Sequence, residues 1–274
     1  MRDNFKLKKI EHLSEIFKDY NVFIIDLWGV IHNGISPIPE ALEAIDQLYK
    51  NKKKFIFLSN APRPSQVVRN FLEKMQINKK YLNNILTSGE AALKSIKEFR
   101  YGKKFFHLGP DRDKKLYHGL ENHKTTINNC EYILCTGLYD DHMEDLNYYS
   151  KMLENFKNKI MVCTNPDLIV DRGEEREFCA GKIAQIFEDL GGKVVYFGKP
   201  HFEIYNLILK KEEKALMIGD NLQTDIKGAN LMRQDSIFIT EGVHLKEIES
   251  SKNIENVFKK YNAHPKFIQN KLQW

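Results

Sequence analysis

The chain reads as an α/β protein: a parallel β-sheet covered by helices on both faces, interrupted by an inserted α/β domain. Three observations lead there. Short apolar runs alternate with helical stretches along nearly the whole length. Runs such as NVFIID (21–26), KFIFLS (54–59) and ALMIGD (215–220) are apolar at successive positions, not at every second one. That pattern buries both faces of a strand, as in a parallel sheet between helical layers. In the middle of the chain the alternation continues, but with more polar loops.

Taken in order, the N-terminal stretch MRDNFKLKKIEHLSEIF predicts an amphipathic helix with Phe5, Ile10, Leu13 and Phe17 on one face. NVFIID then leads into the helix PEALEAIDQLYK, KFIFLS into PSQVVRNFLEKM, and NILTS into GEAALKSIKEF. KKFFHLG, CEYILCTG and KIMVCTNPD supply the middle strands. The helix FCAGKIAQIFEDLGG follows, closed by Gly191-Gly192. KVVYFG precedes HFEIYNLILK, ALMIGD precedes TDIKGANLM, and SIFIT precedes LKEIE. The parse is a discontinuous core, residues 1–88 and 194–274, around an inserted α/β domain at 89–193.

Composition narrows the function classes. With 274 residues, 42% hydrophobic and 29% charged, the chain has room for one large or two modest domains. No apolar run approaches the ~18–20 residues of a membrane span. The N-terminus lacks the apolar core of a signal peptide, so a soluble cytoplasmic protein is expected. Net charge is +5, which leans toward an anionic substrate. The densest basic run, KNKKKF (50–55), reads as a solvated helix end. No basic stripe with interleaved aromatics suggests nucleic acid. Cys130, Cys135, Cys163 and Cys179 form no CxxC pair, and no His completes a zinc site, so reduced thiols are expected. His107, His118, His123, His142, His201, His244 and His264 show no ligand spacing and read as loop or surface residues. Phe105, Phe106, Tyr132 and Tyr196 sit in apolar runs and read as core.

Ligands of an open parallel sheet sit beyond the carboxyl ends of its strands. There the sequence places Asp26, Ser59 and Asn60, Lys199 and Pro200, and Asp220 with Asp225 five residues on. Alone, each is an ordinary turn or cap residue. Together they form a chemical set. Asp26 and Asp220 could share a hard divalent cation such as Mg²⁺. Asp26 would keep an oxygen to attack phosphorus. Lys199 and Ser59 would neutralise phosphoryl oxygens, helped by the N–H groups of the glycine-containing loop after Asp26. Asp225 could orient Lys199 or a metal-bound water. Pro200 suits the first turn of a helix. Arg63, between two prolines, could reach phosphate or substrate.

DLWGV (26–30), LSNAPRP (58–64), GKP (198–200) and GDNLQTDI (219–226) occur in the order of the four motifs of the haloacid dehalogenase superfamily, which the chain resembles over nearly its whole length. The long insertion and its TNPD (164–167) resemble the large α/β cap of class IIA members, which include phosphatases of nucleotides, sugar phosphates and small aryl phosphates. The resemblance implies a Rossmann-like core with an inserted cap. It implies Asp26 as nucleophile, and Mg²⁺ held by Asp26, the carbonyl of Trp28 and Asp220, with Asp225 in support. It also implies phosphate binding by Ser59 and Asn60, Lys199 as the third-motif base, and substrate contacts from Asn165, Pro166 and Asp167, with Arg172 a further candidate. TNPD can also be a plain turn. Cap surfaces can form dimer contacts, so a homodimer stays open.

One position departs from the family. Most of its phosphatases read DxDG, and the second Asp protonates the leaving group. This chain carries Trp28 there, like a subgroup of class IIA that shares the Trp and the LQW ending. An indole is no acid at neutral pH, and a missing acid costs roughly 10²–10⁴-fold where the leaving group needs a proton. His32 could replace the acid. Alternatively, the substrate could be an acyl or enol phosphate that needs none, or the protein could be a slow enzyme or a phospho-ligand binder. The expected function is a Mg²⁺-dependent phosphatase of a small phosphorylated metabolite; a phospho-ligand sensor and a phosphotransferase are the alternatives.

Overall fold

Val22–Ile25 is a strand with every residue buried. Its side chains alternate between two cores: Phe23 and Ile25 join Leu48, Phe57 and Leu72 on one face, Val22 and Ile24 join Leu58, Tyr205 and Met217 on the other. Two-sided burial is what the unbroken apolar runs encode. The structure is a computed structural model, and it describes residues 7–172, 175–251 and 253–274.

In chain order the strands are β1 (Lys8–Lys9), β2 (Val22–Ile25), β3 (Lys54–Ser59), β4 (Ile85–Thr87), β5 (Phe105–Leu108), β6 (Tyr132–Cys135), β7 (Ile160–Cys163), β8 (Ile169–Arg172), β9 (Glu175–Phe178), β10 (Lys193–Tyr196), β11 (Ala215–Gly219), β12 (Asp235–Ile239) and β13 (Phe267–Gln269). The helices are α1 (Pro39–Lys50), α2 (Ser65–Lys74), α3 (Ser88–Lys97), α4 (Leu146–Leu153), α5 (Ala180–Asp189), α6 (Phe202–Asn206), α7 (Lys227–Leu231), α8 (Leu245–Ser250) and α9 (Ile254–Tyr261). A seven-stranded parallel sheet runs β1-β13-β12-β11-β2-β3-β4. A four-stranded parallel sheet runs β10-β7-β6-β5, and β8 and β9 form an antiparallel hairpin.

The smaller sheet has its own cores. Ile133, Cys135, Met161 and Cys163 pack toward α4 and α5, while Tyr132, Leu134 and Val162 pack with Ala92 and Ile96 of α3 and with Tyr117. Phe105 and Tyr132 are buried and Phe106 and Tyr196 partly so, and all four cysteines are free and buried. Helix α5 ends at Asp189 with Leu190 as its C-cap, followed by Gly191 at φ +92°.

Three expectations are corrected. KVVYF does not belong to the large sheet: β10 pairs with β7, residue for residue from Lys193↔Ile160 to Tyr196↔Cys163. Both sheets are parallel and two-sided, so the apolar run alone could not assign it. The N-terminal amphipathic helix does not form over the described residues 7–17. The chain runs as β1 beside β13 and then as two short 3₁₀ turns, Leu13–Glu15 and Phe17–Asp19. Ile10, Leu13 and Phe17 are buried all the same, by lying along the sheet edge; Phe5 falls outside the described residues. Finally, Pro200 precedes α6 instead of opening it, and the Lys199–Pro200 peptide is cis. The C-terminal tail does pack inward: Leu272 is fully buried and the Trp274 ring lies 4.6 Å from that of Phe17.

Candidate active site

Adjacent strands β11, β2 and β3 end side by side, and their ends carry the chemistry. Asp26 continues the ladder past β2, its N–H donating to the Ile218 carbonyl at 2.9 Å. Ser59 ends β3, and Asp220 follows β11. Lys199 comes from elsewhere: the chain leaves the smaller sheet at β10 and passes Gly198 before reaching α6.

The lysine joins the set through short contacts. Its Nζ donates to Asp26 Oδ1 at 2.5 Å and to Asp225 Oδ1 at 2.7 Å. Asp225 Oδ2 accepts the Asn221 N–H, and Asp220 Oδ2 accepts the Val243 N–H at 2.8 Å. Asp26, Asp220 and Asp225 offer carboxylate oxygens within 4.8 Å of one another, all three residues buried. Gly29 makes this approach possible: at φ +77°, a Cβ there would lie 2.1 Å from Asp220 Oδ2.

Asn60 ties three segments together. Its Oδ1 accepts the Lys199 N–H at 2.8 Å. Its Nδ2 lies 3.1 Å from both the Lys199 carbonyl and Asp167 Oδ1, donating to each. TNPD is both a turn and a site element. Asn165 Oδ1 accepts the Asp167 N–H at 3.0 Å, and Asp167 reaches across to Asn60. Ser59 Oγ accepts the Ala61 N–H at 3.2 Å and faces the cavity beside Asp26. Arg63 also lines that cavity, but its Nε donates to the buried Asp113 at 2.6 Å, an ion pair between the core loop and the insertion. The Arg172 side chain lies outside the described part of the structure.

Burial of so many carboxylates around one ammonium sets the electrostatics. Burial pushes the Asp26 carboxyl up to about 7, with Lys199 pulling the other way and Asp225 and Asp167 adding to the rise. Asp220 is pushed well above the carboxylate range by burial, then by Asp26 and Asp225. Asp167 rises to about 6, also chiefly by burial. Burial works against the Lys199 ammonium, yet Asp225, Asp26 and Asp167 outweigh it and raise its pKa. Three buried carboxyl groups converging around one ammonium could hold a hard divalent cation, and their oxygen donors fit one such as Mg²⁺.

His32 does not fit an acid's role. It is 2% exposed, burial lowers its pKa to about 4, and its Nδ1 accepts the Gly34 N–H at 3.0 Å. The ring is therefore neutral at pH 7, and a neutral imidazole is a poor proton donor. Two other histidines expected in loops or at the surface are buried: His107, against Thr136 and Tyr117, and His244, whose Nε2 accepts the Leu222 N–H. Sequence reading also missed the Val243 N–H that holds Asp220 and the Trp28 indole bonded to the Asp171 carbonyl at 2.5 Å. Backbone partners leave no residue-type signal.

Two cavities meet at Asp26. One, of about 250 Å³, is lined by core residues including Trp28, Ser59, Arg63 and Phe71 and by insertion residues including Leu138, Asn165 and Phe178. The other, of about 540 Å³, lies on the Asp220 side. No helix among the described residues is long and apolar enough to cross a membrane.

Fold and site together define an α/β protein with carboxylates and a lysine gathered at strand ends beneath an inserted domain. Comparison with known proteins agrees. A haloacid dehalogenase-like hydrolase family model matches residues 23–122, and a second HAD-hydrolase-like model matches 196–272. An acid sugar phosphatase of Staphylococcus epidermidis is 29% identical over 255 residues, 86% of this chain and 93% of that protein. A haloacid dehalogenase-like hydrolase of Brucella suis superposes with a TM-score of 0.85 at 28% identity, covering 96% of this chain and 99% of that one. A 4-nitrophenylphosphatase of Thermotoga maritima shares the fold at a TM-score of 0.69 and 24% identity, over 92% and 95% of the two chains. The chain belongs to the haloacid dehalogenase superfamily and is one of its hydrolases.

Proposed function

We propose that the protein is a Mg²⁺-dependent phosphatase of the class IIA type, acting on a small phosphorylated metabolite in the cytoplasm. The observation that carries this reading is the Lys199 ammonium, bonded at once to Asp26 and Asp225 and set beside Asp220 where the cavities meet. The names of similar proteins, an acid sugar phosphatase and a 4-nitrophenylphosphatase, support the reaction class.

Asp26 attacks phosphorus, the bond from phosphorus to the ester oxygen breaks, and the leaving group departs with that electron pair as its anion, to be protonated by water. Water then attacks the aspartyl-phosphate, releasing phosphate and restoring the Asp26 carboxylate. Lys199 and Ser59 face the phosphoryl oxygens and offset or bind their charge, and Asn60 supports phosphate binding by fixing the Lys199 backbone. Asp225 holds the lysine in place. Asp26, Asp220 and the Trp28 carbonyl would hold the cation, with Asp225 in support; when bound, it supplies further positive charge to the transferring group. Asn165, Asp167 and Arg63 contact the rest of the substrate. The insertion covers the site and excludes water. With Trp28 and a neutral His32 at the leaving-group side, groups that depart as stable anions are favoured, such as those of acyl, enol or aryl phosphates.

The test is turnover of p-nitrophenyl phosphate and acetyl phosphate with Mg²⁺, wild type against Asp26→Asn. Loss of at least about 10³-fold in the variant is expected for removal of a nucleophile. If wild type turns over neither substrate, yet a phosphometabolite raises its Tm, the protein is a phospho-ligand binder instead. A rate that depends on an added acceptor alcohol would mark it as a phosphotransferase.

A further inference from the structure

Trp28 stands two residues after Asp26, half-buried, and its surroundings are built around the indole. The ring fills the space over Gly34. That glycine has φ +87°, and a Cβ there would lie 2.5 Å from the indole. The ring meets His32 edge-on at 5.2 Å, and His32 in turn meets Phe71 at 5.6 Å. Its N–H reaches out of the core to the Asp171 carbonyl in β8 of the hairpin.

The hairpin has a second attachment. Arg176 in β9 donates to both carboxylate oxygens of Asp171, at 2.7 and 2.9 Å, and its Nη2 also donates to the Val243 carbonyl at 2.8 Å. Val243 is the residue whose N–H holds Asp220. The hairpin is thus pinned at two points, one beside Asp26 and one beside Asp220. Trp28 also faces both cavities, as do Asp26, Asp167 and Val170. It is the largest of the four side chains that line both the smaller chamber, whose wall includes Val67, Phe71, Leu138 and Phe178, and the larger one near Asp220.

We propose that Trp28 is a positioning and specificity-determining residue: its indole N–H latches the β8–β9 hairpin beside Asp26, and its ring keeps the two cavities separate. The chamber above Asp26 is then small and apolar at its far end. It favours compact, apolar leaving groups over polyhydroxylated ones, which would need the combined space and the polar wall beyond. The specificity half rests on the phosphatase reading; the latch half does not.

Two variants of the full chain test the two halves. Trp28→Phe keeps the packing on His32 but removes the N–H. Amide hydrogen exchange in the hairpin strands is expected to quicken by about 3–10-fold, the factor one ordinary hydrogen bond carries, with β5–β7 unchanged. KM for p-nitrophenyl phosphate should rise by a larger factor than kcat falls. Trp28→Ala joins the cavities, and the ratio of kcat/KM for a hexose phosphate to that for p-nitrophenyl phosphate should rise about tenfold or more, the scale on which pocket shape discriminates. Unchanged hairpin exchange in Trp28→Phe overturns the latch. An unchanged ratio in Trp28→Ala overturns the wall. If wild type hydrolyses no phosphate ester, the functional reading fails and takes the wall with it, while the exchange measurement still decides the latch.

Discussion

Replacing Lys199 with Met removes the ammonium and keeps most of the stem's bulk. Its Nζ lies 2.5 Å from Asp26 and 2.7 Å from Asp225, and the residue is 3% exposed, so no solvent takes its place. Breaking a buried ion pair from one side costs about 3–5 kcal/mol. A domain of this size loses roughly 2–4 °C per kcal/mol, giving a fall in Tm of about 10 °C. The fall must depend on pH. The Asp26 carboxyl sits at about 7 in the fold, above its ordinary 3.8. A group raised in this way favours the fold fully below its unfolded pKa, and that contribution disappears as pH rises through the folded one. Without Lys199 the folded value climbs further and the loss on the alkaline side deepens. Thermal unfolding in EDTA should therefore show a larger penalty for Lys199→Met at pH 8 than at pH 5. With Mg²⁺, phosphate release should fall at least about 10²–10³-fold, as for loss of a charge-stabilising donor. Equal penalties at both pH values, or a larger one at pH 5, would refute the argument that the carboxylates depend on this ammonium.

Two further outcomes follow from the geometry. His32→Ala should leave both limbs of the kcat–pH profile in place between pH 5 and 8, because the ring is already neutral there with its pKa lowered to about 4; a lost alkaline limb would make His32 the proton donor after all. Gly29→Ala forces a methyl to within 2.1 Å of Asp220 Oδ2 at a positive φ. It should abolish the rise in Tm that Mg²⁺ gives the wild type, which at about 100-fold Kd amounts to about 2.7 kcal/mol of stabilisation. An undiminished rise would remove Asp220 from the cation site.

How much could be read from the chain varies with the kind of signal. Strands β2, β3 and β11 were legible because burial on both faces leaves an unbroken apolar run, and their carboxyl ends then pointed to Asp26, Ser59 and Asp220. Lys199 was legible as a residue but not in its provenance: β10 looks like a core strand and pairs with β7. Ile10, Leu13 and Phe17 carry helical spacing, yet an edge strand followed by two 3₁₀ turns buries the same side chains. Arg63 reads as a substrate contact and lines the cavity, but its bond to Asp113 depends on how the insertion sits, which local pattern does not encode. The Trp28–Asp171 and Val243–Asp220 bonds were invisible because each uses a backbone group, the same for every residue type.

Asn60 has a consequence for how the site behaves through a reaction cycle. It fastens the backbone of a residue 139 positions away on both its N–H and its carbonyl, using an amide that has no proton to gain or lose near neutrality. The carboxylates nearby change charge with pH and with any cation that binds them, and salt screens them. The splice at Lys199 is made of neutral dipoles and is indifferent to all three. The main chain bearing the lysine is thus anchored independently of the charges its side chain answers.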